Sequence, residues 1–88
     1  MTAPPKAASK TRVALSTCAV GHEVRLSGIR AGRELRSRLA AMGLVPGIRI
    51  RVMSREGRGP LVLALRGMRL AVGRGIAEKM DVEPWSTP

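Results

Sequence analysis

Leu39-Ala40-Ala41-Met42-Gly43-Leu44-Val45-Pro46-Gly47-Ile48-Arg49-Ile50-Arg51-Val52 changes its apolar period half-way along. Upstream of Gly43 the spacing is helical. Leu35, Leu39 and Met42 fall at i, i+4 and i+7, one stripe of a helix running from Gly32 to Met42. Glu34 stands in its first turn, where the helix dipole favours a negative charge. Gly43 followed by apolar Leu44 is a C-cap signature and predicts a positive φ at Gly43, with Leu44 packed beneath the cap. Val45-Pro46-Gly47 makes a turn, and Pro46 holds Val45 extended, which predicts an exposed Val45. Downstream, Ile48, Ile50 and Val52 alternate with Arg49 and Arg51, the period of a half-buried strand.

The same reading extends in both directions. Before the helix, Val24 and Leu26 alternate with Glu23, Arg25 and Ser27, predicting a first strand. After it, Gly57-Arg58-Gly59-Pro60 breaks the chain, and Leu61 to Leu65 is apolar on both faces, as in a central or well covered strand. Gly67-Met68 is the expected two-residue hairpin turn, returning through Leu70, Ala71 and Val72. Gly73 to Lys79 predicts one short helical turn with Ile76 and Ala77 inward. Met80 and Val82 then share one face of a last strand. The result is a mainly β chain of five short strands with one short α-helix between the first and second. An open sheet this small leaves two edges exposed, so closure into a small five-stranded barrel is expected. Residues 1–11, rich in Pro, Lys and small side chains, read as a disordered tail, 12–83 as the barrel domain and 84–88 as a C-terminal tail.

Composition bounds the function. With 88 residues there is room for one domain. Phe and Tyr are absent and Trp85 is the single aromatic residue, so the core must be aliphatic. One cysteine, Cys18, excludes an internal disulfide and a multi-cysteine zinc site. The basic N-terminus leads into no apolar segment of signal-peptide type, and Leu61 to Leu65 is far too short to cross a bilayer. A soluble, cytoplasmic protein is expected. The net charge of +10 favours anionic partners: nucleic acid, an anionic leaflet or an acidic protein face. The blander alternative is a solvated, arginine-rich surface with no partner at all.

The run from Leu39 to Gly47 resembles the "rLxxMGlxPG" segment of the FeoA family, ferrous iron transport protein A. Leu15, Cys18 and Gly21 stand where that family shows "LxxLxxG". Gly59-Pro60, Gly67, Leu70-Ala71-Val72 and Ala77 continue the pattern, so the resemblance spans residues 13 to 83. The module is also similar to the C-terminal SH3-like domain of some metal-dependent repressors. What the FeoA resemblance implies is a cytoplasmic SH3-like barrel that assists FeoB, a membrane ferrous-iron permease with a GTP-binding domain. It implies no active site. The competing readings are a basic nucleic-acid-binding barrel and a small transition-metal-binding or metal-sensing protein.

The candidate chemistry is sparse. Cys18 and His22 are both metal-ligand types four residues apart, but Gly21 and the coming strand argue against a shared helix face. Cys18 takes a position where relatives place an apolar residue, so it reads as a buried small hydrophobe. His22 follows a turn glycine and is expected exposed, able to hold a metal weakly with carboxylates from another copy. Of the acids, only Glu78, Asp81 and Glu83 cluster. No cofactor is expected beyond weak Fe2+ or adventitious Zn2+. Neither a Ser-His-Asp arrangement nor a general-base constellation is visible, and Gly73-Arg74-Gly75 lacks what a phosphate loop requires. Sequence-specific recognition of single strands leans on aromatic stacking, and the barrel segment has no aromatic residue, so specific nucleic-acid binding is not expected. The partner face is expected at Val45, Arg49 and Arg51, on the FeoB-type permease or, as a further option, on a second copy of the chain.

Overall fold

Among residues 12–86, the part described by this computed structural model, six strands and two helices follow one another. The tail expected over 1–11 lies outside the described residues. The order is β1 (Val13–Ala14), a 3-10 turn (Leu15–Thr17), β2 (Glu23–Ile29), α1 (Arg33–Ala41), β3 (Arg49–Arg55), β4 (Leu61–Leu65), β5 (Met68–Val72), α2 (Arg74–Glu78) and β6 (Met80–Pro84). The mainly β class stands. The strand count is corrected from five to six, because Val13–Ala14 is too short to show an alternation in sequence. That extra strand places the long helix between the second and third strands.

All six strands belong to one antiparallel sheet ordered β1-β6-β2-β3-β4-β5. It does not close into a barrel, since β5 and β1 remain its two edges. The edge argument that predicted closure is met by other means. One edge is only two residues long, and the other carries exposed Met68 and Arg69. Register shifts at Leu26/Gly28 in the β2–β6 pair and at Val52/Ser54 in the β3–β4 pair bend the sheet around the core.

The inner face is wholly aliphatic, as the composition demanded. Val24 and Leu26, then Ile48, Ile50 and Val52, then Leu61, Leu63 and Leu65, alternate inward, with Val72, Met80 and Val82 from the last two strands. Leu15, Leu39, Leu44 and Ala77 seal the ends. Each fully buried Leu contributes roughly 1.5–3 kcal/mol relative to exposure. α1 contributes Leu39, with Leu35 half-buried, whereas Met42 is 40% exposed and leaves the predicted stripe. The reason is that the helix ends one residue earlier, and Met42 sits at its C-cap with φ −92° and ψ 4°.

The helix end is a Schellman motif. Leu44 N–H donates to Leu39 O at 2.9 Å and Gly43 N–H to Ala40 O at 2.9 Å, with Gly43 at φ +95°. The β4–β5 hairpin turns at Arg66-Gly67, not at Gly67-Met68. Leu65 pairs with Met68, and both turn residues have positive φ, 51° and 77°, as a type I′ turn requires. At the C-terminus the sheet continues past the expected boundary. Pro84 lies in β6, and Trp85 N–H donates to Glu23 O at 3.0 Å.

Candidate functional site

β3 positions the two arginines singled out in the sequence. Ile50 and Val52 are fully buried beneath it, so Arg49 and Arg51 project from the outer face of the sheet, each more than half exposed. Arg51 pairs in register with Glu23 on β2, and Arg49 with Arg25. Glu23 joins the arginines. Its Oε1 accepts from Arg49 Nη2 and, at 3.1 Å, from Arg49 Nε, and its Oε2 lies 4.0 Å from Arg51 Nη1. Arg25 pairs in register with Glu83 on its other side. Two carboxylates therefore face three guanidinium groups across β6, β2 and β3.

Trp85 completes this face. Its ring centroid lies 5.2 Å from the Arg49 guanidinium carbon, a cation–π distance. Nothing in the local pattern marks that position beyond the rarity of the residue, because Trp85 lies in the segment read as a loose tail. The aromatic residue missing from the barrel segment thus sits at the edge of the arginine face.

Val45 is not where it was expected. It is half-buried and packed against the core, while Arg49 and Arg51 face outward. Val45 N–H donates to Gly43 O at 3.0 Å, and Val45 O accepts from Ile48 N–H at 3.1 Å, which winds the corner tightly enough to turn the side chain inward. Of the three residues expected on one exposed face, Arg49 and Arg51 are exposed and Val45 is half-buried.

Cys18 is buried, 4% exposed, as its apolar position predicted. Burial pushes its thiol above the ordinary value, while the neighbouring Arg55 pulls the other way. Arg55 Nη1 also donates to Cys18 O at 2.6 Å. Cys18 and His22 line one cleft together with Glu23 and Glu83. Yet among the described residues no three His, Cys, Asp or Glu side chains converge as a metal site would need. The other acids of the C-terminal cluster are engaged: Asp81 with Arg30 at 3.1 Å, and Glu78 with Arg74 at 3.6 Å.

This architecture and this motif recur in known proteins. A family model described as "FeoA domain" matches residues 13–84, nearly the whole described chain. The chain belongs to the FeoA family. A curated protein of Methanocaldococcus jannaschii, whose name assigns it provisionally as Fe(2+) transport protein A, is 38% identical over 63 residues, covering 72% of this chain and 76% of that protein. The crystal structure of an FeoA called iron uptake regulatory protein superposes with a TM-score of 0.76 at 31% identity, covering 84% of this chain and 97% of the other. The solution structure of FeoA from Chlorobium tepidum gives the same TM-score at 28% identity, covering 84% and 71%. The SH3-like likeness extends in fold alone to a manganese-dependent transcriptional repressor, 22% identical at a TM-score of 0.76, of which the match covers 42%.

Proposed function

We propose that this chain is an accessory protein of ferrous-iron uptake that binds a FeoB-type membrane permease from the cytoplasmic side and performs no catalysis itself. The observation that carries the reading is the FeoA domain match over residues 13–84, supported by a curated relative named for Fe(2+) transport. No helix among the described residues is long and apolar enough to cross a membrane, in keeping with a partner that supplies the transport path.

The contact face in this reading is the outer sheet surface carrying Arg49 and Arg51. Both guanidinium groups are more than half exposed and share a single carboxylate, Glu23, so each retains donors for an acidic partner. Trp85 beside Arg49 adds a large, amphipathic contact with little rotamer entropy to lose, a residue type enriched where partners bind most tightly. The net charge of +10 draws the domain toward an anionic inner leaflet, where such a permease sits. The test is ferrous-iron uptake by cells whose own copy is deleted, complemented with the wild-type chain or with an Arg49→Glu, Arg51→Glu variant shown to be folded. Uptake is expected to return with the wild-type chain and to fall markedly with the variant. Full restoration by the folded variant removes these arginines from the interface.

A further inference from the structure

A second concave surface lies away from the Arg49–Arg51 face. It is a groove of about 550 Å3 between α1 and the end of β2. One wall is the helix face Arg33, Arg36 and Ser37, and the floor is apolar, made by Ile29, Leu44 and Pro46. No acidic side chain lines it. Among the described residues neither Arg33 nor Arg36 has a carboxylate within ion-pair distance, whereas Arg30, Arg49, Arg51 and Arg74 all do.

The opposite wall is backbone. β2 pairs with β3 only from Glu23 to Arg25, continued by the bonds between Leu26 and the Gly47–Ile48 corner. Beyond Leu26, Gly28 and Ile29 stay paired with β6 on one side, while Ser27 is the extra residue of the bulge, its hydroxyl donating to Asp81 O at 3.0 Å. Their other side carries no strand, because the chain has turned away at Pro46 into the groove's floor. An unpaired strand flank accepts an extended segment by main-chain hydrogen bonds, over roughly 10 Å for three residues.

We propose that this groove is a binding site for an extended peptide segment of a protein partner, one that alternates carboxylate and aliphatic side chains. Its backbone runs along Ser27–Ile29. Its carboxylates pair with Arg33 and Arg36, whose planar guanidinium groups suit bidentate carboxylate contacts, and its aliphatic side chains rest on Ile29, Ala40 and Pro46. Unpaired like charges in one concavity specify the sign of the occupant. The apolar floor and the free strand flank favour a peptide over a bare anion or a lipid headgroup. The proposal rests on the reading that this chain works by binding a protein, and it adds a site distinct from the Arg49–Arg51 face.

The test uses the full chain and no permease, so it stands apart from the fate of that reading. A fluorescein-labelled hexapeptide of alternating Glu and Leu is titrated with the protein and followed by anisotropy. Its Lys–Leu counterpart and vesicles of anionic phosphatidylglycerol serve as competing probes. The Glu–Leu peptide is expected to bind at least roughly tenfold more tightly than the Lys–Leu peptide, with an affinity that falls as salt rises. The double variant Arg33→Glu, Arg36→Glu is expected to weaken binding by about tenfold or more, and Arg36→Gln by a smaller factor, since each removes a paired cation. Arg58→Glu with Arg69→Glu makes the same change in net charge outside the groove and is expected to leave affinity within about twofold, because exposed charges beyond a Debye length are screened. Equal losses in the two double variants would show attraction to net charge alone and overturn the site. So would equal binding of the two peptides, or displacement of the Glu–Leu peptide by phosphatidylglycerol vesicles. If the double variant fails to melt cooperatively, unchanged affinity in Arg36→Gln also counts against the groove.

Discussion

Gly43 shows how one position carries the exit from α1. Its φ of +95° lies in the region that costs an L-residue about 1–2 kcal/mol. A Cβ there would meet Leu65 Cδ1 at 3.5 Å, an ordinary contact, so the penalty is conformational and not steric. Gly43→Val is therefore expected to destabilise the domain by more than about 1 kcal/mol, read as a lower midpoint in thermal or urea unfolding. An unchanged midpoint would mean that the Schellman turn does not bear on stability. Cys18 offers a second single-residue test. Its buried thiol holds its proton more tightly folded than unfolded, because desolvation raises the folded pKa above the ordinary 9.0. The resulting stabilisation is fully present below that value and is lost as pH climbs through the higher folded pKa. Relative to Cys18→Ala, the wild-type protein is expected to lose stability as pH rises beyond 9.0. A native thiol assay is expected to label Cys18 slowly. Parallel pH profiles and fast labelling would both contradict its burial.

At the level of elements, what the sequence disclosed depended on whether an element had a period. α1, β3 and β4 are long enough to show one, and their positions were legible from Leu39, Ile48, Ile50 and Leu61 to Leu65. β1 has two residues and no period, so only pairing with β6 reveals it. The β4–β5 turn was misplaced by one residue, because its first position is filled by Arg66 at positive φ, where Gly or Asn is the usual signal. The corner after α1 misled in another way. Proline predicts an extended Val45, which is a statement about backbone, and the side chain's direction was set by the Gly43 and Ile48 hydrogen bonds. Since Val45 packs on the core, Val45→Glu is expected to cost about 1–3 kcal/mol of stability, the penalty of placing a charge in a half-buried apolar site. A calorimetric midpoint equal to wild type would return Val45 to the surface.

For the molecule as a whole, the sheet gathers side chains that are far apart in sequence. Glu23, Arg49, Arg51 and Trp85 come from three regions of the chain and meet only because β2 lies between β6 and β3. The arginines were legible as the exposed half of an alternating strand. Trp85 was not, because its place depends on a single backbone bond to Glu23 beyond the end of β6. Openness of the sheet was hidden for a similar reason: closure is decided by which strands pair, and local pattern does not encode pairing. The most direct measurement of the proposed role is co-purification. The tagged chain is incubated with detergent-solubilised membranes containing a FeoB-type permease, with and without guanine nucleotide, beside the folded Arg49→Glu, Arg51→Glu variant. The expected result is recovery of the permease with the wild-type chain in at least one nucleotide condition and its loss with the variant. Absence of the permease from the wild-type eluate in every condition would contradict the proposed partnership.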